Sequence, residues 1–186
     1  LLDGENYAQI SPDVMRIVKF SFKDGKEVGT LFDVATARNV KLESFDGYIM
    51  SPDESRILIQ TKTRPIYRRS FTAEYYIYSV RNNTLEPLSE NGPQQVPLFS
   101  PDGNNIAFVR DNNLFLVKLL FDNSESQVTK DGKFNEVLNG IPDWVNEEEF
   151  GYNRAFDFSA DSKMIAFIRF DETKVPLFSF PLYQGM

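Results

Sequence analysis

Four times along the chain an alternating aromatic or aliphatic run leads into Ser, then Pro or Ala, then Asp. Two or three polar residues follow, and then a second apolar run. The copies are YAQISPDVMRIVKF (7–20), GYIMSPDESRILIQ (47–60), VPLFSPDGNNIAFV (96–109) and AFDFSADSKMIAFI (155–168). Each predicts a β-hairpin. Pro52 and Pro101 preset φ for a turn, Asp53 and Asp102 can bond back to nearby backbone N–H groups, and Gly103 tolerates positive φ. The flanks IVKF, ILIQ, IAFV and IAFI carry β-branched and aromatic residues at strand length.

Further strand candidates follow each hairpin: GTLFDV and NVKL, then EYYIYSV and LEPL, then NLFLVKL and SQVT. Four strands per unit is the content of a propeller blade, and long amphipathic helix patterns are missing. The chain therefore reads as all-β, a partial β-propeller of about four blades near 7–43, 47–89, 95–130 and 155–186. The motif serines, Ser11, Ser51, Ser100 and Ser159, are spaced by 40, 49 and 59 residues, so the later units carry insertions. One is TKTRPIYRRSFTA (61–73), between the second and third strands of its unit; the other is an arm at 133–154. The closing run VPLFSFPLY reads as strands without a closing partner, and open arcs expose edges that proteins avoid. A fragment of a larger propeller is the expectation, ahead of a closed four-bladed ring.

Composition narrows the chemistry. The net charge is −7, which disfavours nucleic acid and anionic membrane as partners and leaves a cationic ligand unrepelled. Cysteine is absent, so there is no disulfide and no thiolate metal site. Histidine is absent too, and a Ser-His-Asp or Cys-His relay needs an imidazole. The chain by itself is thus expected to be catalytically inert. No apolar run approaches a membrane span, and LLDGENYAQI reads like mid-chain sequence rather than a signal segment.

The stretch DWVNEEEF (143–150) in the second insertion places three carboxylates behind the single Trp. A run of charges is ordinarily a solvated face, and Trp144 is ordinarily core. The arm that breaks the repeat, however, is where repeat proteins carry function. Two Glu side chains can accept hydrogen bonds from an ammonium. For Glu148 and Glu149 to serve together the backbone must leave strand geometry, for example in a short helical turn. Calcium is the competing cation, with Asp143 or Asn146 as extra ligands, but no EF-hand spacing is present, so no metal and no cofactor is expected. RPIYRRSF (64–71) reads as a solvated hairpin, with contact to a neighbouring domain as its functional alternative, and FDETKVP (170–176) as a turn with Pro176 on an edge.

DWVNEEEF followed by SADSKMIAFIRFDETKVPLF strongly resembles the N-terminal β-propeller of the dipeptidyl peptidase IV family of serine peptidases, bacterial type. GYIMSPDESRILIQ with YRRSFTAEYYIY, and FSPDGNNIAFVRDNNLFLVK, are similar to its second and third blades in order, so the likeness covers essentially the whole chain. The double-Glu arm is the specific part; SPDG-type hairpins occur in many periplasmic propellers. The resemblance implies an eight-bladed propeller capping an α/β-hydrolase domain, with release of Xaa-Pro or Xaa-Ala dipeptides from free N-termini. Glu148 and Glu149 would hold the substrate α-ammonium, with Glu147 supporting, and the catalytic triad would lie on the hydrolase domain outside this chain.

It also implies an extracytoplasmic location, in the bacterial periplasm or cell envelope. The partners expected are a peptide with a free N-terminus, the protein's own hydrolase domain and, through an arm of this region, a second copy. Two positions depart from the animal members. Asn146 stands where they have Tyr, and LSENGPQQVPLFS (88–100) lacks the Arg that would bind the substrate carbonyl, leaving Arg110 and Arg154 as candidates. The alternatives are a non-enzymatic periplasmic scaffold propeller and a related tripeptidyl or acylaminoacyl peptidase.

Overall fold

A computed structural model of the chain describes residues 1–179 and 181. Three antiparallel sheets follow one another, each a meander of sequential strands. The first holds β1 (Asn6–Ile10), β2 (Arg16–Ser21) and β3 (Glu27–Asp33). The second holds β4 (Gly47–Met50), β5 (Arg56–Pro65), β6 (Phe71–Ser79) and β7 (Thr84–Pro87). In the third are β8 (Gln95–Phe99), β9 (Asn105–Arg110), β10 (Asn113–Lys118) and β11 (Ser124–Gln127).

A fourth unit is split. β12 (Val137–Asn139) pairs with β15 (Arg169–Asp171), while β13 (Phe156–Phe158) pairs with β14 (Ile165–Phe167). The helix α1 (Trp144–Phe150) lies between β12 and β13, so the expected insertion contributes both a strand and the helix.

The four repeated motifs fold alike. Each motif serine Oγ donates to the Asp two residues on, at 2.5 Å from Ser11 to Asp13, 2.6 Å from Ser51 to Asp53 and from Ser100 to Asp102, and 2.7 Å from Ser159 to Asp161. The same oxygen accepts the backbone N–H five residues on, of Arg16, Arg56, Asn105 and Met164. These bonds hold the turn carboxylates below their ordinary range, the hydroxyl of Ser51 chief among them at Asp53, which falls to about 2. The residue after each Asp has positive φ: Val14, Glu54, Gly103 and Ser162. The repeat is a turn motif first, and glycine stands at only one of its four left-handed positions.

The central strands read as unbroken apolar runs because both of their faces are covered. Alternate residues of a strand point to opposite faces. On β5, Ile57 and Ile59 join Ile17, Phe32 and Phe45 between the first and second sheets, while Leu58 joins Phe99, Ile106 and Phe108 between the second and third. On β9, Ala107 and Val109 pass to the next layer with Ile141 and Phe156. The sheets therefore stack face to face in chain order, as blades do.

The first sheet has three strands, not the four expected. NVKL forms none. Arg38 instead bridges Thr84 in parallel, donating its N–H to Asn83 O at 3.0 Å and accepting from Leu85 N at 3.0 Å. Val40 and Leu42 pack against the core between the first two sheets, so their apolar character is satisfied without a ladder. The turn after β15 forms as read, with Val175 N–H donating to Glu172 O at 2.8 Å, but Pro176 lies in no strand. Of the closing run VPLFSFPLY, residues 175–179 carry no strand; the rest, apart from residue 181, falls outside the described residues.

Candidate functional site

Local chemistry starts and stops α1. Asp143 is its N-cap, extended at φ −70° and ψ 172°, with a carboxylate that accepts from Asn146 N at 2.7 Å. The Asn146 side-chain amide donates to both Asp143 oxygens at 3.0 Å. The two residues on which a calcium site would draw are thus bound to each other. Gly151 ends the helix at φ 73°, and its N–H reaches Glu147 O at 3.0 Å, a left-handed C-terminal cap.

On a helix, consecutive side chains are about 100° apart, which separates the three carboxylates. Each meets a different fate. Glu147 turns inward and is 1% exposed. Its Oε1 accepts two backbone N–H bonds, from Arg69 at 2.7 Å and Ser70 at 2.9 Å, at the tip of the β5–β6 hairpin. Glu148 is half-buried and pairs with Arg68 of the same tip, Nε to Oε1 at 3.3 Å. Glu149 is exposed and has no ion pair among the described residues.

The hairpin tip is therefore not simply solvated. RPIYRRSF lies on a lengthened hairpin, with β5 running to Pro65 and β6 starting at Phe71. Its side chains from 64 to 69 are exposed, while its backbone is captured by the arm. Asn153 adds a side-chain bond to Arg69 O at 3.0 Å. The contact stays within the chain, joining segments 77 and 78 residues apart at the two Glu147 bonds.

Trp144 departs from the core reading, at 55% exposed. Glu147 is the one buried residue of α1, so the helix packs through a carboxylate, and Trp144, Val145 and Phe150 face outward. Trp144 and Glu147 line a cavity of about 780 Å³ with Ile66, Tyr67, Phe134 and Ile141. Glu148 and Glu149 are outside that lining.

The two arginine candidates for carbonyl binding are engaged elsewhere. Arg110 lies over the Phe115 ring at 4.1 Å and donates to Glu125 at 2.6 Å and Ser89 at 2.7 Å. Burial would raise Glu125, but the hydrogen bonds from Arg110 and Ser89 bring it below the ordinary carboxylate range. Arg154 donates to Phe156 O at 3.3 Å and sits over that ring at 6.0 Å. Arg68 is the arginine that meets Glu148. Its signal was present in the basic cluster RPIYRRSF, but only the fold brings that cluster to the arm.

Stacked antiparallel sheets with an acidic helix inserted in the fourth unit define a segment of a β-propeller that carries an inserted arm. The family model described as the dipeptidyl peptidase IV (DPP IV) N-terminal region matches residues 51–186, and the chain belongs to this family. The crystal structure of a Porphyromonas gingivalis dipeptidyl peptidase 4 superposes with a TM-score of 0.92 at 44% identity, covering 99% of this chain and 26% of that one. A probable dipeptidyl-aminopeptidase B of Chaetomium globosum is 38% identical over 181 residues, which is 95% of this chain and 18% of that protein. Another, of Emericella nidulans, is 47% identical over 134 residues, 69% of this chain and 14% of that protein. The chain thus spans roughly a seventh to a quarter of the length of these relatives.

Proposed function

We propose that the chain is the substrate-recognition part of a dipeptidyl peptidase that removes Xaa-Pro or Xaa-Ala dipeptides from free N-termini. In this reading the complete protein carries a serine hydrolase domain outside the present sequence, and the propeller segment supplies position rather than chemistry. Glu148 and Glu149 receive the substrate α-ammonium. Holding that charge fixes how far along the peptide the scissile bond lies, so a dipeptide is released.

The observation that carries the reading is the fanning of the carboxylates on α1. One of them is consumed internally, and the next two remain on the accessible side, with Arg68 beside Glu148. Arg68 takes the role for which Arg110 and Arg154 were candidates, donating to a substrate backbone carbonyl while Glu148 turns to the ammonium. A guanidinium has five N–H donors, so it can serve a carboxylate and a carbonyl together.

The test compares an Xaa-Pro chromogenic substrate with its Nα-acetylated form on the complete protein. Acetylation removes the ammonium and leaves the scissile bond untouched. The expected result is a loss of at least about a hundredfold in kcat/KM, from two charge-assisted hydrogen bonds of about 1.5–3 kcal/mol each. Equal turnover of both substrates would sink the ammonium reading.

A further inference from the structure

We infer that Glu147 is a positioning residue: its carboxylate latches the β5–β6 hairpin tip to α1 and thereby sets the place of Arg68 beside Glu148. The inference rests on the reading of Glu148 and Arg68 given above and adds to it the part that assembles them.

The burial pattern is the starting point. Taking a carboxylate out of water is costly unless its oxygens find donors. Glu147 is 1% exposed, while Glu149, two residues on, stays in solvent. Two short backbone bonds compensate the burial, from Arg69 N at 2.7 Å and Ser70 N at 2.9 Å, both of the charge-assisted kind. Ser70 is itself buried, so its N–H needs that acceptor as much as the carboxylate needs the donor.

Arg68 immediately precedes these two residues in the chain. Its side chain is 72% exposed, and an ion pair that open contributes little by itself to holding geometry. What holds the guanidinium in place is therefore the latched backbone at 69 and 70. Two further contacts fix the same tip. Asn153 donates to Arg69 O at 3.0 Å, and Gly151 lies under the Arg69 guanidinium, where an added Cβ would stand 3.4 Å from its Nη2. The latch joins the second sheet to the arm of the fourth unit, so two separately encoded insertions become one recognition surface.

The test is a set of cycles on the complete protein, with kcat and KM measured for an Xaa-Pro chromogenic substrate. Glu147→Ala is expected to raise KM about tenfold and leave kcat within about threefold, since a small misplacement of a binding group is costly. Glu147→Gln keeps an oxygen that accepts both N–H groups and is expected to stay within about threefold of the parent in kcat/KM. Asn153→Ala, at the surface, is expected to lose about threefold, and it serves where Glu147→Ala is not recovered folded. In an Arg68→Ala background, both losses should shrink to within about twofold, because groups that act through one another are not additive.

Full multiplicative losses in that background, or a Glu147→Gln as damaged as Glu147→Ala, would overturn the latch. Glu148→Gln, assayed in parallel, separates the two ideas. If Glu148→Gln is impaired while the Glu147 and Arg68 effects multiply, only the latch falls. An unimpaired Glu148→Gln removes the basis of both.

Discussion

Glu149→Gln in the complete protein is expected to lower kcat/KM for an Xaa-Pro substrate by about 10- to 150-fold, and Glu148→Gln by less. A hydrogen bond between an ammonium and a carboxylate contributes about 1.5–3 kcal/mol, and each 1.36 kcal/mol is a factor of ten in rate. The difference between the two follows from their state without ligand. Glu149 has no ion pair among the described residues, so its whole charge is available to an incoming ammonium. Glu148 is already partly neutralised by Arg68 at 3.3 Å, and part of what the ligand gives it the guanidinium gave before. The steady-state parameters of both variants check this. An unchanged kcat/KM for Glu149→Gln would be incompatible with its assigned role.

The second large effect is on stability. Phe32→Ala is expected to destabilise the fold by about 3–5 kcal/mol, a large share of the 5–15 kcal/mol typical of a domain. Phe32 is 1% exposed between the first and second sheets. Its ring meets Phe45 edge-on at 5.4 Å and Tyr78 at 4.9 Å, so truncation opens a cavity and loses two aromatic contacts. Phe134→Ala, at a position 81% exposed, is expected to stay within about 0.5 kcal/mol. Urea unfolding midpoints measure both. A Phe32→Ala midpoint indistinguishable from that of Phe134→Ala would mean that the sheets do not depend on this layer.

The parts of the fold that could be read from the sequence are those encoded locally. Ser-x-Asp closes its own turn through bonds two and five residues away, so four copies of the pattern announce four hairpins. Continuous apolar runs such as those of β5 and β9 report coverage on both faces, which is what stacked sheets need. NVKL was misleading because Val40 and Leu42 are apolar for packing while Arg38 bonds to the neighbouring sheet. A fourth strand and a packed crossover have the same composition.

The arm shows where local reading stops. Three identical residues in a row have three different environments, and nothing in EEE distinguishes them. The difference comes from helical geometry combined with a hairpin tip 77 and 78 residues away. Trp144 looks like core by type, yet α1 packs through Glu147 and leaves the indole on a cavity wall. Arg68 looked like a solvated charge because its partner lies in another insertion. Helix formation at DWVNEEEF was legible in part, since the run had to leave strand geometry, and Asp143 and Gly151 supply the caps.

The most direct measurement is a crystal structure of the complete protein with an Xaa-Pro dipeptide bound. The ligand's α-nitrogen is expected within about 3 Å of carboxylate oxygens of both Glu148 and Glu149, with Glu147 still on the hairpin backbone. A dipeptide whose ammonium is held by other groups, with Glu149 left in solvent, would contradict the central claim.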